Sequence, residues 1–151
     1  MQQAAGATIP DSVVAMIPHV NIQAFCEDQN TARIMQAAAA DRRMAKAHMD
    51  IQLGGIDAAV QVLGSGSTPN VLIVESTQHR EGVLADLEQL AHVCDPGTKV
   101  IVIGHVNDVI LYRELMRQGI SEYLVAPLHQ LQVVEAVGNL FSNASAKPLG
   151  R

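Results

Sequence analysis

Aromatic side chains are scarce in this sequence: they make up 3% of its 151 residues, and tryptophan is absent. Hydrophobic residues still make up 48% and charged residues 17%, a balance typical of a globular chain and not of a disordered one. The core must therefore consist of Ala, Val, Ile, Leu and Met side chains. A chain of this length suits one domain, which can bury roughly 70% of its unfolded surface.

Basic residues are also few, with 10 Lys and Arg against 15 Asp and Glu, which gives a net charge of -5. The only basic cluster in the sequence, Arg42, Arg43 and Lys46, is typical of the solvated end of a helix. A surface that binds nucleic acid or an anionic membrane needs a basic stripe. The composition therefore predicts no nucleic-acid partner.

Cysteines and long apolar runs are few as well. The two cysteines, Cys26 and Cys94, form no disulfide framework and indicate reduced thiols in a cytoplasmic protein. No apolar run reaches membrane-spanning length, and the first basic residue is Arg33, so the N-terminus lacks the charged region of a signal peptide. We expect no direct membrane insertion. The six histidines show no ligand spacing, so no zinc site is expected.

Apolar and amphipathic segments alternate along the chain. The predicted strands lie in VNIQAFCED, HMDIQL, NVLIVES, KVIVIGH and EYLVAP. A helical pattern follows each strand, and Gly54-Gly55 forms the turn into the second helix. Because the central strands are apolar on both faces, the pattern predicts an α/β fold. We expect a flavodoxin/CheY-like doubly wound five-stranded parallel sheet in the order 2-1-3-4-5, with five helices.

The predicted domain covers residues 19–142. Residues 1–18 resemble a flexible tail, with an apolar patch at residues 13–17 that is expected to dock on the domain. Residues 143–151 resemble a linker, and the last helical pattern ends near Phe141. The first helix is expected in residues 31–46, and the fourth is expected to have Asn107 as its N-cap and to end at Gly119.

Candidate site residues follow the ends of the predicted strands, where open α/β sheets bind ligands. They are Glu27, Asp28, Glu75, Gly104 and Ala126. Two interpretations of the three carboxylates stay open. They form either a hydrated acidic patch without an ion or a weak Mg²⁺ site, because hard cations prefer carboxylate oxygens. No cation at these five positions offsets the charge, so a raised carboxylate pKa is a further expectation. His105 follows the fourth strand, and we expect it to shape the loop before Asn107.

This arrangement resembles the receiver domain of two-component response regulators over about residues 20–141. Glu27 and Asp28 match that family's acidic pair, and Pro127 matches its proline. The resemblance implies a cis peptide bond before Pro127. Three positions depart from the pattern: Glu75 stands for the phosphoacceptor Asp, Gly104 for the hydroxyl residue and Ala126 for the lysine. Phosphoryl transfer needs an in-line nucleophile and cations that offset charge, so these departures predict a degenerate phosphorylation site.

A longer motif gives a closer resemblance. The run VIVIGHVNDVILYRELMRQGISEYLVAPL, with GGIDAAV and PNVLIVES upstream, resembles the N-terminal atypical receiver domain of the CpaE/TadZ pilus assembly proteins. These proteins belong to the Flp-type, tight-adherence secretion machinery. The resemblance implies that an ATPase domain follows Arg151 and that ATP binds only there. It also implies a cytoplasmic protein at the cell pole.

The leading hypothesis is a non-catalytic interaction domain without a cofactor. Its expected partners are pilus or secretion machinery, polar landmark proteins and a second copy of the chain in a homodimer. The resemblance to receivers implies an interface on helix 4, strand 5 and helix 5, with Tyr112, Arg113, Arg117 and Tyr123 as candidate residues. Two alternatives stay open: a receiver that accepts phosphate at Asp28, and a small nucleotide-binding module supported by fold analogy alone.

Overall fold

The computed structural model describes residues 17–146, and the surroundings of side chains through residue 142. The strands are β1 (Asn21–Cys26), β2 (His48–Leu53), β3 (Val71–Glu75), β4 (Lys99–Gly104) and β5 (Glu122–Val125). The helices are α1 (Gln29–Ala39), α2 (Gly55–Leu63), α3 (Arg80–Ala91), α4 (Val109–Arg117) and α5 (Gln130–Ala146). A short 3-10 turn, Arg42–Met44, precedes β2.

All five strands pair in parallel in the order β2-β1-β3-β4-β5, which confirms the predicted fold. The central strand β3 is buried along its whole length. Its side chains alternate between the two faces of the sheet, as the strand period of two requires. Val71 and Ile73 pack with α1 and α5, whereas Leu72 and Val74 pack with α2, α3 and α4. By the same alternation, Glu75 points to the side of α1.

The first helix ends earlier than predicted. It covers Gln29–Ala39, and Asp41 then caps the 3-10 turn by accepting a hydrogen bond from the backbone N–H of Arg43 at 2.9 Å. Asp is a preferred capping residue because its side chain satisfies a backbone donor at a helix start. The turn buries Met44 in the core below α1. The apparent continuity of the Ala-rich pattern through residue 46 is therefore broken by one capping side chain.

The fourth helix has Asp108, and not the predicted Asn107, as its N-cap. One carboxylate oxygen of Asp108 accepts from the backbone N–H groups of Ile110 and Leu111 at 3.0 and 3.1 Å. Arg80 binds the same carboxylate at 2.9 and 3.2 Å, and these hydrogen bonds lower the pKa of Asp108. Gly119 follows the helix with a φ of 96°, as expected for a glycine at a helix C-terminus.

The structure describes a part of each end of the predicted domain. Ile17 is buried against the core on the α1 and α5 side, as expected for the apolar patch at residues 13–17. The rest of that patch lies outside the described residues. The last helix continues to Ala146, beyond its predicted end near Phe141. The predicted tail at residues 1–16 and the linker beyond residue 146 also lie outside the described residues.

Candidate functional site

The side chain of Glu75 lies at the carboxyl edge of the sheet and is completely buried, with 0% of its surface exposed. Its carboxylate reaches under the start of α1. One oxygen accepts from the backbone N–H groups of Glu27 at 2.7 Å and Asp28 at 3.0 Å. The other accepts from the Thr31 hydroxyl at 2.9 Å and lies 2.5 Å from Nε2 of His105. Each oxygen therefore has two partners within the protein.

These contacts give the carboxylate a fixed position. The Asp28 N–H, at the N-cap of α1, is among the donors that a helix leaves without an internal partner, and such donors favour a negative charge. Glu75 thus ties together the loop after β1, the first turn of α1 and the loop after β4. Its oxygens face protein donors and are not open to a reacting group.

The three candidate carboxylates do not converge. The backbone N–H groups of Glu27 and Asp28, and not their side chains, meet Glu75. The Asp28 carboxylate caps α1 through the Asn30 N–H at 2.8 Å, and the Glu27 carboxylate accepts from the Thr77 hydroxyl at 2.8 Å. Within residues 17–142, no group of three His, Cys, Asp or Glu side chains is arranged to hold a metal ion. The expectation of an open acidic patch at Glu75 is wrong, because this carboxylate is buried.

His105 is a site residue whose role the sequence analysis missed. Its side chain is 28% exposed and lies against the Glu75 carboxylate. A histidine carries a charge only when it is protonated, so the expectation that no cation offsets the carboxylates stays a prediction. The alternation of side chains along β4 predicts that His105 lies near Glu75. Glu75 pairs with Ile103 in the β3–β4 register, and a residue two positions beyond Ile103 must return to the same face of the sheet. That residue is His105.

Cys26 shares this buried environment at the end of β1. Burial, and secondly the charge of Glu75, raise the pKa of the Cys26 thiol to about 12. The thiol is therefore protonated at neutral pH and is a poor nucleophile, since the thiolate is the reactive form. Both Cys26 and Cys94 are free cysteines, as the sequence predicts.

Gly55 allows the chain to pass close to this site. Its φ is 61°, in the left-handed region that glycine adopts without steric penalty. A Cβ atom at this position would lie 2.7 Å from Cγ of Glu27 and 3.0 Å from the backbone oxygen of Glu75. The Gly54-Gly55 turn that the sequence predicts is thus also required by the packing around the site.

Gly104 and Tyr123 form a second close contact, on the opposite face of the sheet. A Cβ atom at Gly104 would lie 2.2 Å from the Tyr123 hydroxyl oxygen. The tyrosine ring therefore occupies the space that a side chain at position 104 would need. The hydroxyl donates to the backbone oxygen of Val106 at 2.7 Å. Tyr123 is only 7% exposed, and burial raises the pKa of its hydroxyl. Tyr123 is therefore a core residue, and its prediction as an interface residue is wrong.

The other interface candidates lie on the outward side of α4. Tyr112 is 42% exposed, and Arg113 and Arg117 are exposed beside it. Arg117 pairs with Glu114 on the same helix. Val109 and Ile110 add exposed apolar surface to the first turn. We call these five residues, Val109, Ile110, Tyr112, Arg113 and Arg117, the α4 surface.

Ala126, the last candidate position, precedes Pro127 at the end of β5. The peptide bond between them is cis, as predicted. Ala126 carries no ammonium group, so the carboxyl edge of the sheet has no lysine after β5. Of the five predicted positions, the structure brings together only Glu75 and the backbone of Glu27 and Asp28. Gly104 ends the neighbouring strand β4 but packs on the opposite face of the sheet, and Ala126 follows β5, two strands away from β3.

Comparison with solved structures identifies the family to which this chain belongs. The pilus assembly protein CpaE from Caulobacter crescentus CB15 is 50% identical in sequence, with a TM-score of 0.80 over 82% of this chain and 95% of that chain. The chain belongs to the CpaE family of pilus assembly proteins. A CpaE2 pilus assembly protein from Sinorhizobium meliloti 1021 is 43% identical, with a TM-score of 0.76 over 78% of this CpaE-family chain and 97% of its own.

More distant structures share the fold of this CpaE-family chain. A CheY-like response regulator protein from Mesorhizobium loti is 18% identical, with a TM-score of 0.54 over 81% of this chain and 97% of that chain. This likeness shows the receiver fold alone. No protein-family model matches the chain, and no curated protein matches it. None of the helices within residues 17–146 is both long enough and apolar enough to cross a membrane.

Proposed function

We propose that this CpaE-family domain is a receiver-like interaction domain that does not transfer phosphoryl groups and is not an enzyme. The observation that carries the proposal is the burial of Glu75, whose two oxygens make four contacts within the protein. A phosphoacceptor must instead present one oxygen in line with the incoming phosphorus, beside a metal and a cation. Gly104 and Ala126 supply neither a hydroxyl group nor an ammonium group.

Phosphorylation is tested with acetyl phosphate and Mg²⁺, read by intact-protein mass. We expect no mass gain for the wild-type chain, while a receiver of known activity is phosphorylated in the same buffer. Asp28→Asn serves as the matched variant, because Asp28 is the alternative acceptor. A gain of one phosphoryl group in the wild type that is absent in Asp28→Asn would establish the alternative function. A gain that persists in this variant would place the phosphoryl group on another residue and would equally contradict the proposal.

The proposed domain acts through partner binding, and we propose that the α4 surface makes this contact. Exposed apolar side chains next to a tyrosine and two arginines are typical of protein interfaces. A second copy of the chain is the proposed partner at this surface, alongside pilus machinery. Localisation of the protein at the cell pole stays a prediction, which rests on the family resemblance.

Self-association is tested by light scattering at several protein concentrations. We expect the wild type to associate. The double variant Tyr112→Ala, Arg113→Glu should need a protein concentration at least roughly tenfold higher to associate to the same extent, which corresponds to a loss of about 1.4 kcal/mol in binding free energy. The control variant is Val62→Ala with Gln61→Glu, which shortens an exposed apolar residue on α2 and adds a negative charge beside it. A monomeric wild type, or equal association of both variants, would show that the α4 surface is not used.

A further inference from the structure

A cleft of about 540 Å³ opens between α1 and the loop that joins β5 to α5. Small-molecule sites in proteins usually have volumes of about 300–1,000 Å³. The proposed function makes no use of this cleft, which lies on the opposite side of the domain from the α4 surface. His105 lines one end of it, so the cleft borders directly on the Glu75 site.

The wall of the cleft has an apolar part and a polar part. Asn30, Arg33, Ile34 and Ala37 line it from α1, at the i, i+3, i+4, i+7 spacing that places residues on one face of a helix. The facing wall is the segment Ala126, Pro127 and Leu128. Ile34 and Ala37 thus face an apolar loop, with polar side chains at the end toward the start of α1.

The polar end carries hydrogen-bond donors with spare capacity. Arg33 is exposed and donates through one nitrogen to the side-chain oxygen of Asn30 at 2.9 Å. Its other N–H groups have no partner within residues 17–142. His105 also lines this end of the cleft, and its Nε2 contacts Glu75. The Asp28 carboxylate also borders the cleft, with one oxygen engaged in capping α1.

We propose that this cleft binds a small organic carboxylate with an apolar body. The apolar wall would hold the body, and Arg33 would bind the carboxylate through its guanidinium fork, which matches carboxylate geometry. Asp28 at the same end selects for a single negative charge, because a dianion would be repelled more strongly. The small side chain of Ala126 leaves the volume open. The ligand class is therefore a monoanionic amphipathic acid, distinct from a phosphate ester.

Three probes with one alkyl chain length test this proposal: octanoate, 1-octanol and octyl phosphate. Binding is measured by ¹H–¹⁵N chemical-shift titration, which also locates the site. We expect octanoate to shift the amides of α1 and residues 126–128, with an affinity about tenfold higher than that of 1-octanol, the factor expected from one charged hydrogen-bonded pair. Octyl phosphate should bind more weakly than octanoate.

Two variants separate the roles of the two walls. Arg33→Gln should remove the advantage of octanoate over 1-octanol and leave 1-octanol binding unchanged. Ala37→Phe fills the cleft and should abolish the binding of both. The control Lys46→Gln removes an exposed cation that does not line the cleft, and it should change neither. Because Arg33 is exposed, its variant is expected to fold even if Ala37→Phe does not.

No octanoate binding, shifts located elsewhere, or an Arg33→Gln variant that binds octanoate as well as wild type would each overturn the proposal. Tighter binding of octyl phosphate than of octanoate would overturn the assigned ligand class. None of these outcomes depends on phosphorylation or on self-association, so the inference and the proposed function can fail separately.

Discussion

Glu75→Ala is expected to lower the free energy of unfolding by about 3–5 kcal/mol, the range of large single-residue effects. The substitution removes the acceptor of three hydrogen bonds and the contact with His105 at once. It leaves the backbone N–H groups of Glu27 and Asp28 and the buried Thr31 hydroxyl without their partner. A buried donor without an acceptor destabilises by about 1–3 kcal/mol. Urea denaturation monitored by circular dichroism, with the m-value compared between variants, measures the effect.

Glu75→Gln is the matched control, because it keeps the shape of the side chain and removes its charge. The amide oxygen can still accept from the N–H groups of Glu27 and Asp28. The amide nitrogen would then face Thr31 and His105, where an acceptor is needed. We expect roughly half the loss of Glu75→Ala. If Glu75→Ala loses less than about 1 kcal/mol, the buried carboxylate does not hold these loops together.

Gly104→Ala is expected to lower the free energy of unfolding by about 1–3 kcal/mol, the usual effect of inserting a group into a well-packed core. Its Cβ would lie 2.2 Å from the Tyr123 hydroxyl oxygen and 2.6 and 2.7 Å from Cε1 and Cζ of the ring. The ring cannot move aside freely, because it is buried and its hydroxyl donates a hydrogen bond to the backbone oxygen of Val106. The same urea measurement applies.

A double-mutant cycle makes this prediction specific. In a Tyr123→Leu background, Gly104→Ala should lose little further stability, because the ring atoms that it meets are gone. In a Tyr123→Phe background the loss should persist, since the ring carbons remain. Gly97→Ala is the control, because a Cβ at Gly97 meets nothing within 4 Å. Equal effects of Gly104→Ala in all three backgrounds would show that the contact with Tyr123 is not the cause.

The arrangement of the sheet could be predicted because its signals are local. Each strand is a short apolar run, each helix has its own periodicity, and the alternation of the two leaves few possible topologies. The ends of helices are harder to predict from sequence than the helices themselves, as Asp41 and Asp108 show. Each of them caps a helix or turn through one side chain, and a neighbouring residue of similar chemistry could have done so instead.

The sequence predicts which positions form the candidate site, but not the contacts that their side chains make. Strand ends predicted Glu75, Gly104 and Ala126 as site positions, and strand alternation could have added His105. Sequence could not show that Glu75 is buried. Two of its partners, the Glu27 N–H and the His105 imidazole, are 48 and 30 residues away along the chain. Hydrogen-bond partners at that separation depend on how whole elements pack.

The sequence by itself thus determined the fold, the positions at the carboxyl edge of the sheet and the lack of a lysine after β5, because residue type and local pattern suffice for each. Only the tertiary structure decided that Glu75 is a buried acceptor, that Tyr123 belongs to the core and that a cleft lies beside His105. Burial and hydrogen bonding are properties of side chains from distant segments that meet at one place. No local pattern records which of them will meet.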